Sequence, residues 1–513
     1  TNAGAGDNDV VASGQTMAID ASQTATLDFN SSAETDGHFN ITGSSFADTF
    51  RLGNLTSSTT INAGTGNDEL VYIDPNGSST TAGHLTEMNG LRSFETITID
   101  DGNAAFKLSE AVVGNGDTLA VTHTWGSMDT YSMYVDVSED TDGTFSFNAH
   151  KGDDTFIFGT NMSSSQTVNG GYFGGYIFDE DTLRYTDDGN SSNRDELDSV
   201  TNVENIILGA QASYITAVDA LRANEVDTVT IDATSATTLD FNYQAETNEG
   251  GSYHVKGSSN ADIVRAGSGK DTIEGNDGDD TFYFDNHLTN EDTVDGGAGN
   301  DTLYFTPVWD IVDNHENLRG VTNVERAILT EGNSILNMTD STLTGTQVLE
   351  VDASGWTSTG LTFNGAAEST GGFLLKGGAA ADTLIGGGGD DQFFGGNGAD
   401  ILKGNGGNDI FYYESTGQLG DTIQAFCHAD DQLKFNENNF GTTLTFHSAG
   451  YSAGGYNNTG LSSVAQSFIF DTDNFKLWFD SDGTGTSDMG QLVATFTTGS
   501  DAVQADDIDL YGV

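Results

Sequence analysis

The chain has 513 residues, with 78 Asp and Glu against 16 Lys and Arg, and a formal net charge of -62. This charge argues against nucleic acid as a partner, because phosphates need basic side chains, and it makes a folded chain repel itself unless counter-ions offset the acids. No stretch approaches the roughly 18 apolar residues of a transmembrane segment. Since Cys427 is the single cysteine, no internal disulfide forms, and we expect metal ions rather than cross-links to stabilise the chain.

A long repeat divides the sequence into modules. Met17–Phe50 matches Val229–Val264 and Leu349–Leu384, and Tyr134–Phe156 is a worn copy. Each copy carries a glutamate in the same register: Glu34, Glu139, Glu246 and Glu368. The repeat predicts four β modules, each the size of a small domain. They cover residues 1–103, 104–228, 229–348 and 349–412, and a C-terminal cap and secretion-signal region covers 413–513.

Within a module, short strands alternate with turns rich in glycine and aspartate. The alternation in TLDFN and TIDA, together with many Thr, Val, Ile and Phe residues, favours β-strands. A second strand and a hairpin are expected to lead to the next turn block. Ser213–Val226 and His84–Phe94 are the best helix candidates, and both are short. Turns and strands at a fixed period predict an all-β, elongated, solenoid-like chain.

Four nine-residue units run head to tail from Gly377 to Tyr412: GGAAADTLI, GGGGDDQFF, GGNGADILK and GNGGNDIFY. Each has aspartate at its sixth position and an apolar residue at its eighth, the pattern of a parallel β-roll that binds calcium. Carboxylates and turn carbonyls are the hard oxygen ligands that Ca²⁺ takes. Because two units make one coil, Asp382 is expected to share an ion with Asp400, and Asp391 with Asp409.

Several segments resemble known families. Gly395–Phe435 resembles the end of an RTX (repeats-in-toxin) protein of the serralysin type, in which a β-roll leads into a C-terminal cap. Leu477–Val513 resembles the C-terminal region that type I secretion machinery reads. The repeats over Thr16–Leu384 resemble those of large type I-secreted surface proteins, including S-layer proteins of Gram-negative bacteria. The resemblance implies a secreted protein that folds on binding several calcium ions outside the cell.

The RTX pattern, carried over residue by residue, implies three groups of calcium ligands. The first group is Asp382, Asp391, Asp400 and Asp409. The second group lies in Gly257–Tyr283, where an ion is expected between the first and last of Asp262, Asp271 and Asp280. Ser258 and Asn260 replace glycines in the first of these turns. The third group lies in isolated blocks, where a turn-forming role explains each aspartate as well as metal binding does: Asp48, Asp68, Asp154 and Asp301.

The sequence lacks the catalytic sets of the hydrolases that carry such repeats. No H-E-x-x-H metalloprotease motif occurs. A G-x-S-x-G pattern occurs at Gly450–Gly454, but a Gly/Asn loop follows it and no histidine lies downstream. A nucleophile elbow needs a helix after the serine, and Asp and His further on. We therefore expect no enzymatic activity, from Ser452 or elsewhere.

Three interpretations of function stay open. The first is a secreted, calcium-binding structural protein that assembles with itself into a surface layer, matrix or filament at the bacterial cell surface. The second is an RTX adhesin segment that binds a surface or glycan, such as cell-surface polysaccharide. Its binding tip is expected either N-terminal of Thr1 or within the divergent segment Gly102–Ala149. The third is the non-catalytic part of a type I-secreted hydrolase. Four similar modules and the missing catalytic set favour the first, with the chain itself as the main partner.

Overall fold

The computed structural model describes residues 11–34, 37–53, 55, 58–73, 88–100, 103–108, 112–113, 117–124, 131–171, 180–192, 194–217, 221, 228–245, 251–307, 316–331, 335–339, 343, 345–442, 445–449, 466–481, 490–497 and 499–512. Several residues named from the sequence lie outside these ranges, among them His84, Glu246 and Ser452. The chain divides into two compact units, Thr1–Ile273 and Glu274–Val513.

The first unit is built from short strands. They are β1 (Thr16–Asp20), β2 (Asp28–Ser31), β3 (His38–Thr42), β4 (Thr49–Leu52), β5 (Thr60–Asn62), β6 (Glu69–Tyr72), β7 (Leu91–Arg92), β8 (Thr96–Asp100), β9 (Ala104–Lys107), β10 (Thr118–Thr124), β11 (Met133–Val137), β12 (Thr144–Asn148), β13 (Thr155–Phe158), β14 (Thr167–Asn169), β15 (Thr182–Tyr185), β16 (Val200–Thr201), β17 (Asn205–Leu208), β18 (Ala212–Thr216), β19 (Thr228–Asp232), β20 (Thr238–Asn242), β21 (Ser252–Lys256) and β22 (Ile263–Arg265). The strand β23 (Thr272–Glu274) lies at the division between the units.

The second unit continues the same construction. Its strands are β24 (Thr281–Asp285), β25 (Thr293–Asp295), β26 (Thr302–Phe305), β27 (Val321–Thr322), β28 (Arg326–Leu329), β29 (Ile335–Asn337), β30 (Val348–Asp352), β31 (Thr362–Asn364), β32 (Gly372–Lys376), β33 (Thr383–Ile385), β34 (Gln392–Phe394), β35 (Ile401–Lys403), β36 (Ile410–Tyr413), β37 (Asp421–Gln424), β38 (Gln432–Asn436), β39 (Thr445–Ala449), β40 (Ser467–Asp471), β41 (Lys476–Asp480), β42 (Gln491–Phe496) and β43 (Ile508–Tyr511). One short α-helix, α1 (Glu437–Phe440), and 3₁₀ turns at Thr416–Gln418 and Ala505–Asp507 complete its described part.

Pairing in the first unit follows one rule: each strand lies parallel to the strand two places along the chain. The sheets run β1-β3-β5-β7, β2 through the even-numbered strands to β16, β9 through the odd-numbered strands to β21, and β18-β20-β22. Two strands and two turns therefore make one coil, which is the geometry of a parallel β-solenoid. The hairpins expected from the sequence are wrong here, because consecutive strands lie in different sheets.

The second unit contains two long sheets. One runs β24-β26-β28-β30-β32-β34-β36-β38-β43, and the other runs β29-β31-β33-β35-β37-β42-β41-β40-β39. The pairs are parallel apart from β40–β41 and β41–β42, which are the antiparallel pairs among the described strands. These belong to the region predicted as a C-terminal cap. The predicted all-β fold with parallel β-rolls is confirmed.

The core lies inside the coils, because every second residue of a strand points inward. In β19 and β21, for example, buried side chains alternate with half-buried or exposed ones. The same alternation corrects the start of the first helix candidate, Ser213–Val226, since Ser213 and Ile215 are fully buried on β18. The second candidate is also wrong where it is described, since Leu91 and Arg92 form β7. Alternating burial at a period of two fits a strand and not a helix.

The glutamate shared by the modules closes a tight turn. Oε1 of Glu34 accepts a hydrogen bond from the N–H of Gly37 at 3.2 Å, and Oε1 of Glu368 accepts one from the N–H of Gly371 at 3.3 Å. In the second module Asp140 has this role, with its Oδ1 2.7 Å from the N–H of Gly143. The repeat alignment placed Glu139 there, one residue away.

Among the described residues, no helix has the length and apolar character that crossing a membrane requires.

Candidate metal sites

The block Gly377–Tyr412 shows how one nonapeptide folds. Its first six residues form a turn, and its strand follows, as Gly377–Asp382 precedes β33. The eighth residues point into the coil and are at most 2% exposed: Leu384, Phe393, Leu402 and Phe411. Because β33 pairs with β35 and β34 with β36, aspartates 18 residues apart meet at the same edge of neighbouring coils.

Backbone hydrogen bonds link the aspartates of successive coils. The N–H of Asp382 donates to Oδ1 of Asp400 at 2.8 Å, and the N–H of Asp391 donates to Oδ1 of Asp409 at 3.0 Å. All four side chains are buried. The two pairs named from the sequence therefore lie side by side, while their role as calcium ligands stays a prediction.

In the first two turns of the block, the backbone also satisfies the second carboxylate oxygen. The N–H of Gly378 donates to Oδ2 of Asp382 at 2.8 Å, and the N–H of Gly387 donates to Oδ2 of Asp391 at 2.7 Å. We call such a turn an NH-capped turn. Both oxygens of its aspartate accept hydrogen bonds, so its negative charge is partly stabilised without a cation. Burial still raises the pKa of capped Asp391 to about 7 and also raises that of Asp382.

In the last two turns, the second residue adopts a left-handed conformation, with φ of +88° at Gly396 and +77° at Asn405. Oδ2 of Asp400 is buried and has no hydrogen-bond partner. Burial raises the pKa of Asp400 to about 8, and repulsion from neighbouring aspartates adds to it. The same causes raise the pKa of Asp409 to about 8. We call a turn with positive φ at its second and fourth residues an open turn.

The first glycine of each turn is required by close approach of the carboxylate. A Cβ atom on Gly404 would lie 1.8 Å from Oδ2 of Asp409, and one on Gly386 would lie 2.0 Å from Oδ2 of Asp391. Each carboxylate thus packs against the bare Cα of its own turn, and any side chain there would displace it.

NH-capped turns also occur outside this block. The N–H of Ser44 donates to Oδ2 of Asp48, and the N–H of Ser258 donates to Oδ2 of Asp262, both at 2.6 Å. Serine replaces glycine at the second position in both turns. Asp262 belongs to the first unit and Asp280 to the second, so the ion expected between them stays a prediction.

Open turns occur at Asp68, Asp280 and Asp301. Their second and fourth residues have positive φ: Gly64 and Gly66, Asn276 and Gly278, Gly297 and Gly299. Oδ2 of Asp68 and Oδ2 of Asp301 are buried without a hydrogen-bond partner. Burial is the main cause that raises the pKa of each to about 6. Two aspartates from isolated blocks therefore lie in the same kind of turn as Asp400.

The last two predicted ligands lie in turns of mixed character. Asp154 and Asp271 are buried, and only the fourth residue of each described turn, Gly152 or Gly269, has positive φ. Oδ1 of Asp271 accepts the N–H of Tyr253 at 2.9 Å.

Six further acids, which the sequence patterns did not indicate, continue this hydrogen-bond ladder. Each lies at or directly before the start of a strand and accepts the backbone N–H of an aspartate in the preceding coil: Asp181, Asp421, Asp431, Glu95, Glu204 and Glu325. Their positions could have been predicted from the sequence, because the predicted ligands also stand directly before strands. They were not predicted because their turns lack the glycine pattern.

Three of these acids end short corners in which the middle residue is apolar. Ser93–Glu95, Asn202–Glu204 and Asn323–Glu325 begin with a left-handed residue, with φ between 51° and 58°. Oε2 of Glu325 accepts the N–H of Asp301 at 2.7 Å. We call these segments glutamate corners. The repeated LRSFE and VTNVE sequences were the available signal.

The oxygens around the open turns fit a hard cation. A Cβ atom on Gly296 would lie 2.0 Å from the carbonyl oxygen of Asn323 and 2.6 Å from Oδ2 of Asp301. A backbone carbonyl oxygen and a carboxylate oxygen without a donor, Oδ2 of Asp301, thus converge at this turn. Ca²⁺ takes such oxygen ligands at about 2.3–2.6 Å in flexible geometry, so the donor set suits calcium.

Comparison with protein families agrees with this chemistry. The model of the RTX calcium-binding nonapeptide repeat matches four copies, over residues 256–286, 289–305 and 375–413. A comparison with curated proteins finds no relative of the chain. Proteins with RTX repeats bind calcium and are typically secreted. The matched repeats form coils of a parallel β-solenoid, so the chain contains RTX-repeat β-rolls.

Proposed function

We propose that this protein is a secreted, calcium-loaded structural protein that assembles with copies of itself into a layer, matrix or filament at the bacterial cell surface. The observation that carries the proposal is the open turn, with a buried carboxylate of raised pKa at Asp68, Asp301 and Asp400. Such groups destabilise the metal-free fold near neutral pH. Binding of external calcium would supply the missing free energy, so folding and metal loading become one event.

Among the predicted ligands, the aspartates of the open turns are the first candidates to hold calcium. Asp400 and Asp409 have buried carboxylates. The second residue of each turn has positive φ, which rotates its N–H away from the position in which it would cap the aspartate. In the NH-capped turns a backbone N–H already occupies Oδ2 of Asp382. The oxygen keeps a second lone pair for an ion, but the N–H already stabilises part of its charge, so it should attract calcium less strongly than an oxygen without a donor.

Assembly follows from charge and repetition. At -62, two metal-free chains repel each other. Calcium neutralises acids inside the coils and can also bridge carboxylates of neighbouring chains, whereas monovalent salt only screens, with a Debye length of about 8 Å at physiological strength. Related surfaces recur from module to module, and recurring surfaces favour open, extended contacts over a closed dimer. We propose no catalytic role.

Negative-stain microscopy and light scattering test this proposal in three conditions: millimolar calcium, chelator, and sodium at equal ionic strength. We expect ordered sheets or filaments in calcium alone. At calcium concentrations where the exposed-site control D390N assembles, the double variant D400N/D409N should fail to assemble. A wild-type chain that stays monomeric at high concentration in calcium would refute assembly.

A polar cleft favours a second candidate function, glycan binding. In the second unit a cavity of about 440 Å³ is lined by Lys376, Phe394, Asn397, Glu414 and Gln418, among others. The Phe394 ring stacks on Tyr412 with centroids 4.4 Å apart, and a flat aromatic face beside polar groups suits a sugar. Calorimetry with cell-surface polysaccharide should show binding that is lost in F394A. The control Y283A removes a ring from another stacked pair, Tyr283–Tyr304, and should bind normally.

A further inference from the structure

A second kind of acidic site lies outside the nonapeptides, between β15 and β16 of the first unit. One carboxylate oxygen from each of Asp187, Asp188 and Glu196 lies within 4.8 Å of the other two. Asp187 and Glu196 are each 1% exposed, while Asp188 is exposed. The RTX repeat model does not cover this segment, and no glycine-rich nonapeptide occurs in it.

Backbone hydrogen bonds hold the two aspartates in place. Oδ1 of Asp187 accepts the N–H of Gly189 at 2.8 Å, and Oδ2 accepts the N–H of Tyr214, on β18, at 2.6 Å. Oδ1 of Asp188 accepts the N–H of Asn190 at 2.6 Å. These hydrogen bonds orient residues 187–190 and connect Asp187 to β18.

Glu196 differs from the two aspartates, because only the weak influence of its own backbone N–H favours its charged carboxylate. Both Oε1 and Oε2 are buried and have no hydrogen-bond partner. The hydroxyl of Tyr185 is also buried without a partner, and Glu196 and Asp187 both act electrostatically on it. A buried carboxylate without donors is costly unless it is protonated or paired with a cation.

Protein cations do not resolve this cost. Arg194 is the nearest basic residue in the sequence, but its guanidinium donates to Oδ2 of Asp240 at 2.6 Å. Its charge reaches Asp187 only as a weaker electrostatic contribution. Burial, with repulsion from Asp187 and its neighbours, raises the pKa of Glu196 to about 8. Protonation is thus the alternative to an ion near neutral pH.

We propose that Asp187, Asp188 and Glu196 bind a calcium ion at a site separate from the RTX turns. Oxygens that share one Ca²⁺ at about 2.3–2.6 Å lie no more than about 5.2 Å apart, and the three carboxylates meet that limit. The donors are hard carboxylate oxygens, which suit calcium or magnesium better than softer metals. The ion reaches the site from solvent past exposed Asp188, and buried Glu196 binds it on the inner side. The ion clamps the loop 186–199 to β18 through Asp187.

The test uses the full chain in millimolar calcium, with two readouts for each variant. Hydrogen exchange followed by mass spectrometry reports loop 186–199 and, separately, the RTX peptide 396–412. Elemental analysis after desalting reports calcium ions per chain. The variants are E196Q, which keeps the side-chain shape, D188N at the exposed mouth, and the control D198N, which removes a nearby exposed carboxylate.

We expect E196Q and D188N to bind one ion fewer than wild type and to exchange about tenfold faster in the loop 186–199. Peptide 396–412 should stay protected, and D198N should behave as wild type. An unchanged ion count and unchanged loop exchange in both E196Q and D188N would overturn the site. Since D188N alters an exposed residue, it decides the matter if E196Q fails to fold. Failure of the RTX turns would instead appear as lost protection of 396–412 in the wild-type chain.

Discussion

The two halves of the block Gly377–Tyr412 share one sequence pattern but treat their aspartates differently. In the first half, N–H groups of Gly378 and Gly387 cap the carboxylates. In the second half, Gly396 and Asn405 are left-handed, and Oδ2 of Asp400 is left without a donor. The backbone conformation at one residue thus decides whether the turn itself caps the second carboxylate oxygen, although burial raises the pKa of capped Asp391 as well, to about 7. An aspartate in the motif is therefore weaker evidence for a calcium ligand than the turn that surrounds it.

Removal of calcium should cause the largest change in hydrogen-exchange protection, and the change should differ between the two halves of the block Gly377–Tyr412. In chelator, the open turns keep buried acids without a counter-charge, so we expect the peptide 396–412 to lose most of its hydrogen-exchange protection. Calcium should restore it, and sodium at equal ionic strength should not. Peptides around the NH-capped turn Gly386–Asp391 should lose less. Equal loss in both halves would show that the cap does not matter.

A glycine pair in the last turn tests the backbone requirement. Gly407 has φ of +114°, and a Cβ on it would lie 2.2 Å from the carbonyl oxygen of Gly389, whereas a Cβ on Gly406 would approach the carbonyl oxygen of Gly388 only to 4.0 Å. We expect G407A to lower the free energy of unfolding in calcium by about 3 kcal/mol, from strain and steric overlap. The neighbouring control G406A should be neutral or slightly stabilising. Chemical denaturation measures both, and similar losses would contradict the geometry.

Replacing the aspartate with asparagine should have opposite effects in the two kinds of turn, lowering calcium affinity in an open turn and metal-free stability in an NH-capped turn. In D400N, Oδ1 can still accept the N–H of Asp382, so the metal-free fold keeps its stability while calcium affinity falls about tenfold. In D382N, the new amide N–H faces a backbone donor, either Gly378 or Leu361, which costs about 1–3 kcal/mol without calcium. Calcium titration and metal-free denaturation distinguish them. Matching profiles for the two variants would remove the distinction between capped and open turns.

Raised pKa values predict how pH acts on calcium binding. The carboxyls of Asp400 and Asp409 have pKa values near 8, above the ordinary 3.8. The stability they give the metal-free fold is full below about pH 4 and is lost as pH rises through about 8. Calcium needs the deprotonated form, so its apparent affinity should rise by up to about tenfold per pH unit for each proton released. A flat profile between about pH 6 and pH 8 in titration calorimetry would contradict the assigned pKa shifts.

The glutamate corners are turns without the glycine pattern. We expect a substitution there to change the stability least. Removing Oε2 in E325A leaves the N–H of Asp301 without its 2.7 Å partner, which costs about 1 kcal/mol or slightly more. The control E325Q keeps an acceptor there and should stay within about 0.5 kcal/mol of wild type. Thermal denaturation of the two variants in calcium decides this, and equal stability would mean that Glu325 is not part of the ladder.

Much of the fold could be predicted because it depends on local pattern. The nine-residue period placed turns and strands correctly, and the eighth residues Leu384 and Phe393 are buried as expected. The step of two units between neighbouring coils also placed Asp382 beside Asp400. These features follow from the period of two in strands and from glycine in turns, both of which are local. Where the pattern was weaker, prediction failed: hairpins were expected in place of parallel coils, and β18 was read as helix.

The sequence by itself determined the β-roll, the acidic character and the set of aspartates that can meet calcium. Only the tertiary structure decided which of their carboxylate oxygens a backbone N–H caps. Isolated Asp68 and Asp301 lie in open turns, whereas Asp382 in the strongest motif is capped. It also revealed Glu196, buried without a donor beside Asp187. The physical reason is that burial, the direction of backbone N–H groups and the approach of acids from distant coils are set by how the coils stack, and a one-dimensional pattern does not contain them.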